Sequence, residues 1–324
     1  MARSCFILII LCLYAAPAAA LERIVFATDW KAQAEHGGFY QAVAKGFYAA
    51  RGLDVKIRQG GPGVNIPQLM GAGAIDFGMG SSSFMPLNML REGAGAQAVM
   101  AVFQKSPEIL MTHPRDDINS LADMKGHPIM LADASIGAVF LWLKARYGFE
   151  DAQVRKYNFN MAPFLADPNA IQQGYLTSEP FMYARETGKQ PKIFLYADHG
   201  YPSYATLVMV SSRMIDAKPQ IVQAFVDASI EGWRDYLHGD PAPGNAAILR
   251  DNPEMRAEII AQAIEKMQAY GIVESGDAQS QGIGAMSDAR WREFFEIMRD
   301  AGLYPPDMDV RRAYTLQFIE AKPG

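Results

Sequence analysis

The stretch from Ile24 to Ile57 constrains the fold more than any other. Ile24 to Ala27 is a short apolar strand that runs into a polar turn carrying Asp29 and Trp30. A helix starts near His36 and continues to about Ala50, and Leu53 to Ile57 is the next strand. Such a β-α-β connection is almost always right-handed and joins parallel strands. In an open parallel sheet, ligands bind beyond the carboxyl ends of the strands. Asp29, Trp30, His36 and Tyr40 fall at or just past such an end. The pattern therefore predicts a small-molecule pocket with Trp30 as its first wall.

Upstream, Arg3, the apolar run Phe6 to Tyr14 and Ala18-Ala19-Ala20 have the layout of an export signal, with cleavage expected after Ala20. The run is too short to span a bilayer as a finished helix. Both cysteines, Cys5 and Cys12, lie in the segment to be removed, so the mature chain is expected to hold no thiol, disulfide or cysteine metal ligand. The 324 residues carry 30 Lys and Arg against 35 Asp and Glu, a formal net charge of -5. That balance argues against a nucleic-acid surface. Residues 21–324 suffice for one large or two medium domains with a sizeable core.

Along the chain, Ala74 to Met79 reads as a buried strand ending at Gly80, and Phe84 to Arg91 as the following helix. Ser81, Ser82 and Ser83 lie at the junction. Their hydroxyls beside unpaired N–H groups suit an anion or a polar ring edge, although one serine also suffices as a plain helix cap. Gln97 to Phe103 is another strand, with Phe103 at its end. The turn-prone segment His113 to Asp117 reads as the chain leaving one lobe for another. There, Ile118 to Met124 is a short helix, Pro128 to Leu131 a strand and Ala138 to Tyr147 a helix. Ser135 then occupies, in the second lobe, the place the serine cluster holds in the first. A helix ending at Gly174, a strand from Tyr175 to Glu179 and a helix opened by Pro180 place Glu179 at a strand end. The plainer role for Glu179 is a charge at a helix N-terminus.

Ala205 to Val210 is the returning strand, preceded by Tyr204. The expected architecture is α/β and two-lobed with two crossings, near residues 111–115 and 202–206. Lobe 1 would comprise 21–112 and 204–324, and lobe 2 would comprise 113–203. The remainder is mostly helical, and Trp233, Trp291, Phe294 and Phe295 fall at the spacing of a buried helix face.

Catalytic signatures are missing. There is no G-x-S-x-G, no G-x-x-x-x-G-K-[ST] and no H-E-x-x-H, and the five histidines show no metal-ligand spacing. No cofactor, metal or catalytic residue is expected. What remains is a set of aromatics at strand ends (Trp30, Tyr40, Phe103, Tyr175, Tyr204) with Asp29, Ser81 to Ser83, Ser135 and Glu179. Aromatic walls suit a flat ring, and a carboxylate between them accepts N–H bonds from an amino-heterocycle. No arginine occupies these loops, and Lys31 and Lys105 are the only nearby cations. This favours a flat nitrogen heterocycle over nitrate or a sulfonate, although serines and backbone amides also hold anions.

The residues Asp29-Trp30 with His36-Gly-Gly-Phe-Tyr40, Lys45-Gly-Phe-Tyr-Ala-Ala-Arg-Gly-Leu-Asp-Val55, Gly71-Ala-Gly-Ala-Ile-Asp-Phe-Gly78 and Gly174-Tyr-Leu-Thr-Ser-Glu-Pro180 carry a resemblance over nearly the whole mature chain. The chain resembles the periplasmic substrate-binding proteins of ABC importers, in the group covering thiamine-pyrimidine precursors, sulfonates, taurine and nitrate. The opening looks most like the thiamine-pyrimidine branch, although Lys31-Ala-Gln-Ala34 replaces the Pro-Asn usual there. The resemblance implies two lobes closing on a small-molecule ligand, a periplasmic location, delivery to an inner-membrane permease and a monomer. It also implies pyrimidine contacts at Trp30 and Glu179. Fungal pyrimidine synthases resemble the chain too, but they carry a cysteine-rich motif that the mature chain lacks. The alternatives kept open are an aliphatic sulfonate, taurine or nitrate binder and a synthase-like enzyme.

Overall fold

The computed structural model describes residues 20–319, so the expected export signal up to Ala19 and both cysteines lie outside the described residues. Two five-stranded sheets organise the rest. The first contains β1 (Glu22–Ala27), β2 (Leu53–Arg58), β3 (Phe77–Ser82), β4 (Ala96–Phe103) and β10 (Ala205–Ser211), in the order β2-β1-β3-β10-β4. The second contains β5 (Glu108–Thr112), β6 (Ile129–Leu131), β7 (Val154–Lys156), β8 (Ile171–Tyr175) and β9 (Lys192–Leu195), in the order β7-β6-β8-β5-β9.

The two sheets are built alike. In each, three strands run parallel, and the fourth position is filled by a strand antiparallel to both neighbours: β10 in the first sheet and β5 in the second. Each of these strands is the first one the chain makes after crossing from the other sheet. Glu108–Thr112 is thus paired inside the second sheet, between β8 and β9. The first crossing therefore falls at residues 104–107, ahead of the expected 111–115. The expected helix from Ile118 to Met124 contracts to one 3-10 turn, Ala122–Met124.

The opening helix, Gly37–Ala44, lies against the long helix Pro219–His238. Phe225 of the long helix stacks on Phe77 of β3 at 4.1 Å and meets Phe26 of β1 at 5.3 Å, which pins helix to sheet. Trp233 packs edge-on against Phe39 and Phe103. Phe103, expected in the pocket, is fully buried in this core. Among the described residues no helix is long and apolar enough to cross a membrane.

The helix pair approaches closely because Gly38 lies under the Trp233 ring, where an added Cβ would stand 2.2 Å from Trp233 Cγ. Gly38→Ala is expected to destabilise the chain by about 1–3 kcal/mol, the usual penalty of overpacking. Urea unfolding checks this through a lower midpoint at an unaltered slope.

Candidate ligand-binding site

Between the sheets, at the ends of β1, β3, β6 and β8 and at the starts of β5 and β10, lies a cavity of about 210 Å³. Asp29 and Trp30 reach it from the turn after β1, and Glu35 and His36 from the start of the opening helix. Ser81 comes from β3, Ser135 from the turn after β6, Tyr175 from the end of β8, and Glu179 from the helix Glu179–Thr187. These are the sequence-predicted residues that the structure brings together, with Glu35 added.

Five others do not reach the cavity. Tyr40 is buried in the core of the first lobe. Phe103 is held by Trp233. Ser82 is spent in the ladder opposite Ala205. Ser83 is a staple: its Oγ accepts from Tyr204 N at 3.0 Å, and its own N–H donates to Ser203 Oγ at 3.1 Å. Tyr204 donates its hydroxyl proton to Asp277, accepts from Ser287 N at 2.9 Å and lies beneath the Arg290 guanidinium at 4.2 Å. The strand-end rule located the serine cluster and Tyr204 correctly near the crossing, but hydrogen bonds that tie β3 to the returning chain consume both.

The Gly174 reading also changes. Gly174 lies inside β8 and ends no helix. A Cβ there would stand 2.9 Å from Glu179 Cβ and 3.2 Å from Glu179 Oε2. The missing side chain lets the Glu179 carboxylate fold back over the strand, where Tyr175 N donates to Oε2 at 2.8 Å and the Tyr157 hydroxyl to Oε1 at 3.2 Å.

Four carboxylates, from Asp29, Glu35, Glu108 and Glu179, line this one cavity, and no lysine or arginine does. Lys31 and Lys105 are engaged elsewhere, with Glu254 at 2.5 Å and Asp198 at 3.1 Å. Burial raises Glu35 and Glu179 above the usual carboxylate range, opposed by the Thr177 hydroxyl at Glu35 and the Tyr175 amide at Glu179. Enclosure pushes Glu108 up to about 7. Tyr175 feels the charge of all four carboxylates after its own burial, and its phenol is held well above the ordinary value. His36 is fully buried, and neither ring nitrogen has a hydrogen-bond partner among the described residues; Nε2 stands 3.6 Å from Asp29 Oδ1.

The cavity is bridged from both sides. The Trp30 and Phe159 rings meet at 4.7 Å, and the Thr177 hydroxyl donates to Glu35. Phe159 and Thr206 are the two non-glycine residues with positive φ among those described, at 57° and 48°, and both line the cavity. A β-branched residue at positive φ is a strained outlier, and such strain concentrates at binding sites. Neither residue, nor Glu108, was visible to strand-end reasoning. For Phe159 the usable signal was an aromatic in a polar loop, which periodicity ignores.

A larger depression of about 480 Å³ at the opposite end of the first sheet includes Glu22, Asp76 and Lys218. Three of its charged groups are engaged within the fold. Lys218 pairs with Glu22 at 2.5 Å, and Asp76 accepts from Val25 N at 2.8 Å. It also lies at the amino ends of the parallel strands, the unfavoured side for ligands.

A family model described as "NMT1/THI5 like" matches residues 33–242. The riboflavin-binding protein RibY of Chloroflexus aurantiacus is 25% identical, over 92% of this chain and 86% of its own. The formylaminopyrimidine-binding protein of Halalkalibacterium halodurans is 23% identical, over 85% and 84%. Among solved structures, the periplasmic aliphatic sulphonate binding protein SsuA from Escherichia coli superposes with a TM-score of 0.67 at 13% identity, covering 94% of each chain. The two-lobed periplasmic binding protein fold expected from the sequence is thereby shown.

The raised carboxyls set the sign of a pH dependence. A carboxyl that holds its proton more tightly when folded makes stability fall as pH rises. For Glu108 this stability is fully present below the ordinary 4.5 and is lost as pH passes about 7. The melting temperature of the ligand-free chain should therefore fall across that window, and Glu108→Gln should flatten the fall. Calorimetry at a series of pH values checks both.

Proposed function

The chain belongs to the NMT1/THI5-like family, and we propose that it is the solute-capturing component of an ABC importer, closing its two lobes on a flat nitrogen heterocycle rich in N–H donors. The carrying observation is the composition of the cavity: among the described residues its lining holds four carboxylates, one histidine with no hydrogen-bond partner and no lysine or arginine, beside an aromatic wall of Trp30 and Phe159. Carboxylates are acceptors only when ionised. Gathered without a counter-charge, they call for a ligand that brings donors.

Several facts support this class over its alternatives. An anion such as nitrate or a sulfonate would add charge to a site already holding too much of one sign. A fold shared with sulfonate binders does not carry their chemistry with it. The volume, about 210 Å³, is below the roughly 300–1,000 Å³ usual for drug-sized ligands. That favours a single ring of pyrimidine size, as in a thiamine precursor, over a three-ring flavin. In this reading Trp30 and Phe159 stack on the ring, Glu179 accepts from its exocyclic amine, and His36 and Ser81 complete its edge. The protein acts after export, as a monomer, and hands the ligand to a permease in the inner membrane.

The binding reading and the synthase-like reading separate in one experiment. The chain from Leu21 onward is titrated with an aminopyrimidine by calorimetry, and the ligand is then recovered and analysed by mass. One-to-one binding with unaltered ligand is expected. Trp30→Ala should weaken it by about tenfold or more, from lost stacking and lost ring burial. Unchanged affinity in Trp30→Ala would place the ligand elsewhere, and conversion of the ligand would make the protein an enzyme.

A further inference from the structure

Behind the main cavity is a second, much smaller chamber of about 20 Å³. It shares Glu108, Ser135, Gln173, Gly174 and Tyr175 with the main cavity and is lined in addition by Ile109, Val139 and Tyr196. Its volume exceeds the roughly 10–15 Å³ needed to admit one water and leaves no room for a second. It therefore has space for one non-hydrogen group, entering from the ligand side.

The chamber's polar groups are short of partners. The Tyr196 hydroxyl is buried and has no hydrogen-bond partner among the described residues. It lines the same chamber as Glu108. Among the described residues the one hydrogen bond to the Glu108 carboxylate comes from Ser106 Oγ, at 3.2 Å on Oε2. Glu179 accepts two bonds, Glu35 accepts one from Thr177, and Asp29 stands 3.6 Å from His36 Nε2. A carboxylate enclosed without a cation is among the costlier groups a fold can hold. Of the four carboxylates, Glu108 is the one that also lines the small chamber, so a positive charge placed there meets it directly.

We propose that Glu108, Ser135 and Tyr196 form a subsite for a single primary ammonium group borne on a short arm of the ring ligand. The ring lies in the main cavity against the aromatic wall that Trp30 and Phe159 form together, and the arm enters the chamber past Gly174. The ammonium donates to Glu108 and to the Tyr196 oxygen, while Ile109 and Val139 give the chamber apolar walls that exclude bulkier substituents. This subsite selects among heterocycles, and it rests on the heterocycle reading given above.

Two probes test it: an aminopyrimidine carrying an aminomethyl arm, and the same ring carrying a methyl group in its place. Their dissociation constants are measured by calorimetry on the same protein preparation, so that any loss of folded protein affects both. The wild-type chain is expected to prefer the aminomethyl probe by about tenfold or more, as a charge-assisted hydrogen bond supplies. Glu108→Gln should bring the ratio close to one, and Glu108→Asp, which keeps the charge but retracts it, should give an intermediate ratio. Equal affinities on the wild-type chain, or a preference that survives in Glu108→Gln, would overturn the subsite and leave the heterocycle reading standing. Failure of both probes to bind the wild-type chain would remove that reading and the subsite with it.

Discussion

Glu35, Glu108 and Glu179 are held around one cavity, with no lysine or arginine in its lining among the described residues. Each stands above its ordinary proton affinity because burial penalises the charged form. Backbone and hydroxyl donors relieve part of that penalty: the Tyr175 amide and Tyr157 hydroxyl at Glu179, and the Thr177 hydroxyl at Glu35. The relief is incomplete, and His36 adds two ring nitrogens with no hydrogen-bond partner among the described residues. On the reading proposed above, such a site is complementary to a ligand that brings hydrogen-bond donors.

The topology places the site where the chain passes between the two sheets. Each crossing between the sheets delivers a strand that runs antiparallel inside the sheet it enters, β5 in one direction and β10 in the other. Glu108 begins β5 and Thr206 lies near the start of β10. Both therefore stand where the chain passes from one lobe to the other. Contacts across the cleft include the Trp30 and Phe159 rings, the Arg185–Glu258 pair at 3.3 Å, and Thr177, which donates to Glu35 while its carbonyl accepts from Gln262. Closure by this means requires only that the ligand favour the closed arrangement over the open one.

Much of this was legible in the chain. The first β-α-β unit located Asp29, Trp30 and His36 because strand ends in parallel sheets are places, not patterns, and place follows from connectivity. Ser81 and Ser135 followed from the same rule applied twice. The rule overreached at Tyr40, which lies a helical turn beyond His36 and turns into the core, and at Phe103, which Trp233 claims. It fell short at Glu108, because Glu108–Thr112 was assigned to the wrong lobe and its first residue to no site. Gly174 misled for a different reason. A glycine before a proline-opened helix looks like a helix stop, but here its bare Cα makes room for a carboxylate five residues on. Phe159 and Thr206 depend on backbone angles that no composition or periodicity encodes.

The most direct test is a thermal-melt comparison of the chain from Leu21 onward with an aminopyrimidine, taurine, an alkyl sulfonate and nitrate, each in excess. A ligand at about 100 times its dissociation constant adds about 2.7 kcal/mol of stability. The account predicts a clear rise with the aminopyrimidine and none with the three acidic compounds. A rise with any of those three and none with the aminopyrimidine would contradict it, because a cavity lined by four carboxylates would then have been shown to hold an acid.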